Sequence, residues 1–237
     1  MKRLSKNYAL IVAGGKGKRV GRDISKQFIC INNKPIIWYT IKAFESCEHI
    51  DGIVVVISKD DMDYFNENVL EVYDFKKILA VVEGGAERQD SVYNGLLMMK
   101  DCDIVLIHDG ARPFVSEKII NEGIEYAKSY GAAACGVMPK DTIKVKDSDD
   151  FSKETLQRDT LFAVQTPQCF EYNSIKKAHE FIRKENLMVT DDTMVIEKLG
   201  KRVYLYEGSY TNIKVTTPED IEVAEIISKG IVDNNHQ

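Results

Sequence analysis

The chain has 237 residues, of which 44% are hydrophobic and 29% charged, ordinary globular usage that excludes collagen-like, coiled-coil and disordered readings. Thirty-two Lys and Arg against 37 Asp and Glu leave a net charge of −5, so the chain is not built to coat nucleic acid, and any phosphate it binds must be held locally. No apolar run approaches the ~18 residues of a membrane span. The short stretch Ala9-Leu10-Ile11-Val12-Ala13 behind Lys2, Arg3 and Lys6 runs into glycines and lysines instead of a cleavage site. A cytoplasmic protein with no membrane or nucleic-acid partner is expected, folded as a single domain over 1–237.

Short apolar runs alternate with helical patterns along most of the chain. Residues 9–12 read as a strand buried on both faces, and 35–46 as a helix. Strands follow at 53–57, 78–82, 104–107 and 132–137, with helices between them at 61–72, 90–99 and 116–129. In the last of these helices Ile120, Ile124 and Ala127 share a face. This rhythm implies βαβ units and an α/β, doubly wound, mostly parallel sheet. It breaks at 141–165. Thr142-Ile143-Lys144-Val145-Lys146 alternates with period two, Asp147-Ser148-Asp149-Asp150 is a polar turn, and a second strand-like run lies at 161–164. A projecting β-arm is expected there, with its tip at 147–152. Helices at 173–184 and 190–199 and strands at 203–207 and 213–215 complete the pattern. Thr217 as N-cap and Pro218 at N1 open the last helix.

The five cysteines are widely spaced with no C-x-x-C pair, and the four histidines are scattered. Neither a disulfide framework nor a zinc site is favoured, and reduced, partly buried thiols are expected.

In doubly wound sheets ligands bind beyond the carboxyl ends of the strands. Three segments fall there. After the first strand comes Ala13-Gly14-Gly15-Lys16-Gly17-Lys18-Arg19, with Lys26-Gln27-Phe28 beyond it. Glycine N–H groups can cradle a polyphosphate, Arg19 supplies a fork for its oxygens and Lys26 a point charge. No Gly-Lys-Ser/Thr closes the loop, so it is not a Walker A motif, and it lacks the third glycine of the dinucleotide fingerprint. The second segment, Gly84-Gly85-Ala86-Glu87-Arg88-Gln89-Asp90-Ser91, leads from a strand into a helix. The third is His108-Asp109-Gly110-Ala111-Arg112-Pro113, in which Asp109 is placed to ligate Mg²⁺ and Arg112 to hold an anion. Asp109 also suits a turn, and His108 reads as structural.

These motifs, together with Asp141-Thr142, Arg158 with Gln165-Thr166-Pro167-Gln168-Cys169-Phe170, Thr190-Asp191-Asp192 and Asn212-Ile213-Lys214-Val215-Thr216-Thr217-Pro218, resemble the 2-C-methyl-D-erythritol 4-phosphate cytidylyltransferase family in the same order. The resemblance spans residues 9–227. It implies a Rossmann-like nucleotidyltransferase fold and transfer of a cytidylyl group from CTP to a sugar-alcohol phosphate, with release of pyrophosphate and a divalent metal, Mg²⁺, as cofactor. It further implies that Ala13, Gly14, Gly15, Gly17, Arg19 and Lys26 hold the CTP phosphates, and that Gly85, Ala86, Arg88 and Ser91 surround cytosine and ribose. Asp109 and Gly110 would approach the metal and acceptor, while Arg112, Thr142, Arg158, Thr166, Thr190 and Lys214 would bind the acceptor. Arg19, Lys26, Asp109 and Lys214 carry the catalytic expectation. In this family the arm embraces a second subunit, which implies a homodimer with Thr142 and Arg158 acting in the partner's site.

The opening Val12-Ala13-Gly14-Gly15 and the Asn212–Pro218 motif are also seen in the related ribitol-5-phosphate cytidylyltransferases, which leaves ribitol phosphate as the alternative acceptor. Glu87-Arg88-Gln89-Asp90-Ser91-Val92 and Ala111 before Arg112 look more like the methylerythritol phosphate enzymes, which serve non-mevalonate isoprenoid synthesis. The chemistry agrees with either. An ionised phosphate attacking a nucleotide α-phosphorus needs positioning and charge neutralisation, with no side-chain nucleophile or general base.

Overall fold

In the computed structural model of the chain, the described residues are 5–15 and 25–234. Strands β1 (Asn7–Ala13), β2 (Cys30–Ile31) and β3 (Lys34–Pro35) precede helix α1 (Ile36–Ser46) and strand β4 (Gly52–Ile57). Helix α2 (Met62–Phe65), strand β5 (Ile78–Glu83), helix α3 (Arg88–Leu97) and strand β6 (Ile104–Asp109) follow. Helix α4 (Glu117–Tyr130) leads into β7 (Ala132–Val137), β8 (Lys144–Lys146), β9 (Ser152–Thr155) and β10 (Ala163–Glu171). Helices α5 (Tyr172–Lys184) and α6 (Asp192–Glu197), strand β11 (Tyr204–Glu207) and helix α7 (Pro218–Asn234) complete the chain.

The main sheet has seven strands in the order β11-β7-β10-β6-β1-β4-β5, all parallel to their neighbours except β10. The period of two along β1 divides its side chains between two cores. Ala9, Ile11 and Ala13 face α1, α2 and α4, through Ile37 and Ile41, Phe65, and Ile120 and Ile124 respectively. Tyr8 and Leu10 face the other layer, where Val92 of α3, Ile175 of α5 and Val195 of α6 close the sheet. Helix α7 packs through Ala224 on a smaller cluster around Ile31, Ile36 and Phe114. From β1 the chain runs outward to β4 and β5, then returns to lay β6 on the opposite side of β1. The strand order reverses there, opening a crevice between the carboxyl ends of β1 and β6. No helix among the described residues is long and apolar enough to cross a membrane. All five cysteines are free thiols, four buried and Cys30 exposed.

Four expectations are corrected. The arm is a two-stranded antiparallel sheet of β8 and β9, so its second limb is Ser152–Thr155 and not 161–164. Ala163 and Val164 instead begin β10, which runs antiparallel between β6 and β7 in the middle of the main sheet, and the arm therefore ends before Ala163. Residues 213–215 form no strand; Val215 N–H donates to the Ala111 carbonyl at 2.8 Å and ties the segment to the loop after β6. The helix expected at 61–72 is broken into a 3₁₀ turn (Lys59–Asp61), α2 and a π-turn (Asn66–Leu70). At the last helix, Pro218 is the first helical residue, and the Asp220 carboxylate accepts from the Thr216 and Thr217 N–H groups at 2.7 and 2.8 Å.

Candidate active site

The crevice holds a cleft of about 330 Å³. Ala13, Gly14, Gly15, Lys26, Gly85, Ala86, Arg88, Ser91, Asp109 and Lys214 all line it, as does Ala111. Val12 of β1 pairs with Asp109 of β6, so the first glycine turn and the carboxylate start side by side. The turns after β1 and β5 approach closely. A Cβ on Gly14 would lie 3.3 Å from Ser91 Oγ and 3.4 Å from the Gly84 Cα. Gln27 is buried at 3% exposure, and its Nε2 donates to the Ala13 carbonyl at 3.1 Å and to Asp61 Oδ2 at 3.0 Å. Those bonds seat the short turn Lys26–Phe28 over the end of β1 and set Lys26 at the cleft.

Helix α3 starts at the opposite wall. Glu87 and Asp90 form a capping box around its first turn. Ser91 Oγ accepts from Gly85 N–H at 3.0 Å and donates to the Glu87 carbonyl at 3.2 Å, so this hydroxyl shapes the loop at the wall of the cleft that it lines. Arg88, the first helical residue, points along the floor. Its Nε lies 3.4 Å from Asp109 Oδ1 and its Nη1 2.8 Å from Asp192 Oδ2.

Asp109 meets Lys214 Nζ at 2.7 Å through its other oxygen. Burial alone would push the Asp109 carboxyl up; the Arg88 guanidinium and then Lys214 more than offset it, holding the group well below the usual carboxylate range. The two carboxylates raise Arg88 in turn, against the effect of burial. Beneath Asp109 a buried chain fixes the backbone: Asp109 N–H donates to Thr166 Oγ1 at 3.1 Å, and Thr166 meets His108 Nδ1 at 3.2 Å. His108 Nε2 reaches the Arg112 carbonyl at 2.9 Å. A carbonyl can only accept, so Nε2 carries the proton and Nδ1 accepts from the Thr166 hydroxyl. Burial lowers His108 to about 4. Gly110 sits under the cleft, its N–H on the Val12 carbonyl at 2.9 Å.

Lys214 is aimed by its neighbours. Arg112 Nη1 donates to the Asn212 carbonyl at 2.7 Å, and Asn212 Nδ2 donates to the Thr166 carbonyl at 2.9 Å. Arg112 leaves its buried Nε without a hydrogen-bond partner among the described residues. Thr190 is exposed ahead of α6, its hydroxyl 3.9 Å from Met194 Sδ. Thr142 and Arg158 lie exposed at the base of the arm, with Arg158 Nη1 on the Lys140 carbonyl at 2.9 Å, and neither lines this cleft. Gly17 and Arg19 lie outside the described residues. Sequence reasoning missed Gln27, Glu87 and Asp192. Gln27 stood in a noted motif, and Asp192 carried a signal in the doublet Asp191-Asp192.

A profile of the family described as 2-C-methyl-D-erythritol 4-phosphate cytidylyltransferase matches residues 8–229. The chain belongs to this family. A Clostridium perfringens (strain SM101 / Type A) cytidylyltransferase of that name is 61% identical over 222 residues, covering 94% of this chain and 98% of the relative. The enzyme of that name from Clostridium novyi (strain NT) is 57% identical over 228 residues, covering 96% and 99%. Among solved structures, the 4-diphosphocytidyl-2C-methyl-D-erythritol synthase of Anaerococcus prevotii DSM 20548 superposes with a TM-score of 0.84 at 32% identity, covering 95% of this chain and 96% of that one. The chain is thus a cytidylyltransferase with the Rossmann-like nucleotidyltransferase fold of its relatives.

No group of three or more His, Cys, Asp or Glu side chains among the described residues could hold a divalent cation unaided. Two carboxylates line the cleft, Glu87 in the capping box of α3 and Asp109, which Arg88 and Lys214 keep ionised. That fits Mg²⁺, which commonly takes one or two carboxylates and completes its shell with substrate phosphates and water.

Proposed function

We propose that this chain joins CTP to 2-C-methyl-D-erythritol 4-phosphate, giving the CDP-alcohol and pyrophosphate, with Asp109 as the protein ligand of Mg²⁺. The observation that carries this reading is Asp109 at the strand-order reversal, ionised, between Arg88 and Lys214, in a cleft that Lys26 also lines. An acceptor phosphate oxygen attacks the α-phosphorus, the bond from that phosphorus to the bridging oxygen breaks, and pyrophosphate leaves with the electron pair. Both reactants are polyanions, so the residues' tasks are alignment and charge stabilisation. Lys26 meets the CTP phosphates beside the Gly14–Gly15 turn and stabilises charge growing at the α-phosphorus, a task for which the family resemblance adds Arg19. Gly85, Ala86 and Arg88 face the nucleoside, and Lys214, Arg112, Thr166 and Thr190 face the acceptor phosphate. Bound Mg²⁺ supplies neutralisation of the triphosphate and polarisation of its oxygens.

The arm extends the proposal to a homodimer. Ile143, Val145 and Phe151 are exposed on it, Phe151 at 73%, and an isolated two-stranded hairpin is marginally stable in water. A second copy across a two-fold axis would cover these side chains and bring Thr142 and Arg158 to its own cleft. The reactants are water-soluble phosphates, which suits a cytoplasmic enzyme. Pyrophosphate release tests the acceptor. It should require CTP, Mg²⁺ and methylerythritol phosphate together, with ribitol 5-phosphate and hexose 1-phosphates giving little. Faster release with ribitol 5-phosphate would transfer the assignment to the ribitol enzymes.

A further inference from the structure

Two titratable side chains lie behind the cleft with no task in the reaction as proposed. Asp192 opens α6 at 1% exposure, and His179 on α5 is fully buried. The sheet fixes Asp192 in place. Gln168 Oε1 on β10 accepts from the N–H groups of Asp192 and Thr193, each at 3.0 Å. The Asp192 carboxylate then faces Arg88 Nη1 at 2.8 Å and His179 Nε2 at 3.4 Å. Because Arg88 also presents Nε to Asp109, one guanidinium joins a buried carboxylate to the cleft carboxylate.

A buried ion pair is weak support for stability, since desolvation consumes most of its Coulombic gain. What it supplies here is direction. Arg88 is long, and its side chain is 31% exposed. With Asp109 as its only anion it would turn its whole fork onto that carboxylate, replacing the one long Nε contact at 3.4 Å by the bidentate geometry a guanidinium favours. We propose that Asp192, backed by His179, is a positioning residue that draws the Nη1 end of Arg88 off Asp109 and limits it to the single 3.4 Å Nε contact, so that the cleft stays open to the nucleotide. The inference rests on the nucleotide-transfer reading of this cleft.

A double-mutant cycle of Asp192→Asn and Arg88→Gln tests it, read both by kcat/KM for CTP and by calorimetric CTP binding. Asp192→Asn should lower both by about tenfold or more, the range seen when outer-shell partners are removed. In the Arg88→Gln background it should add no further loss, because the residue it acts through is gone. Equal losses in the two backgrounds, or wild-type values for Asp192→Asn, overturn the proposal. If Asp192→Asn alone does not fold, the double variant decides, since it removes the buried charge pair together. A folded double variant with the activity of Arg88→Gln supports positioning, whereas an unfolded or less active one makes Asp192 a structural residue. A wild-type protein that binds CTP without transferring it refutes the proposed reaction, and the cycle on CTP binding still judges Asp192. One that does neither refutes both.

Discussion

Asp109 shares its two oxygens between Arg88 and Lys214, and both cations keep it ionised at any pH where the enzyme works. Replacing it with Asn removes the negative charge while preserving shape. Asp109→Asn should reduce turnover per folded molecule on the order of 10²-fold and flatten the dependence on Mg²⁺ concentration. Intact turnover per folded molecule would mean that Asp109 is only a turn residue. Lys26→Ala should fold normally and lose about 10²–10³ in kcat, as expected for one donor to developing charge; near wild-type kcat would remove Lys26 from the phosphate site. His108 yields a pH signature. It is neutral in the fold, with its value lowered from 6.5 to about 4, so between those limits the unfolded chain binds a proton that the native state refuses. Stability from this group is complete above pH 6.5 and is lost as the pH falls toward 4. Denaturant titrations should show wild type losing on the order of 3 kcal/mol more than His108→Gln across that window. Parallel curves would contradict the neutral, Nε2-protonated ring. At this scale the place of the glycines, Lys26 and Asp109 in the cleft was legible because they follow the carboxyl ends of strands, whereas Lys214 came only from the family resemblance. Gln27 was missed, and the loop-shaping bonds of Ser91 were not legible, because these hydrogen bonds go to backbone groups that sequence does not reveal as neighbours.

Elements meet tightly under the cleft. A Cβ on Gly110 would come within 2.8 Å of the Ala13 Cβ and 3.0 Å of Ile37 Cδ1, wedging β6 from β1 where the strand order reverses. Gly110→Ala should therefore destabilise by roughly 1–3 kcal/mol and lower kcat/KM with it, while Gly15→Ala, where a Cβ meets nothing within 4 Å, should leave stability unchanged. Thermal melts of the two variants check the contrast, and equal melting temperatures would contradict it. The parallel strands were legible as apolar runs because both their faces are buried. Strand β10 was not. It carries Gln165, Thr166, Pro167 and Gln168 in mid-course, and a proline argues against a central strand. Its ladder to β7 shifts register between Val164 and Gln168, and Pro167 falls in that gap. The polar side chains there serve the site: Thr166 supports Asp109, and Gln168 holds α6. The arm was legible as a break in rhythm but not in its pairing, because Ser152-Lys153-Glu154-Thr155 has no apolar alternation to mark it as a strand.

At the scale of the whole molecule, Thr142 and Arg158 decide whether one chain suffices. Both stand outside the cleft of their own chain. With a two-fold shared site, Lys26→Ala and Arg158→Ala homodimers should each be nearly inactive. Co-refolding equal amounts should restore roughly a quarter of wild-type activity, because half the dimers are mixed and one of their two sites carries neither defect. A mixture that stays inactive although mixed dimers form would place Arg158 in its own chain's site. The central claim is that the Asp109 cleft transfers a cytidylyl group to methylerythritol phosphate. Phosphorus NMR of the reaction of the purified protein with CTP, Mg²⁺ and 2-C-methyl-D-erythritol 4-phosphate tests it most directly. The account predicts one equivalent of pyrophosphate and a new pair of coupled diphosphate resonances from the CDP-alcohol, both absent with Asp109→Asn over the same time. Unchanged CTP, or CMP and pyrophosphate with the acceptor untouched, would contradict it.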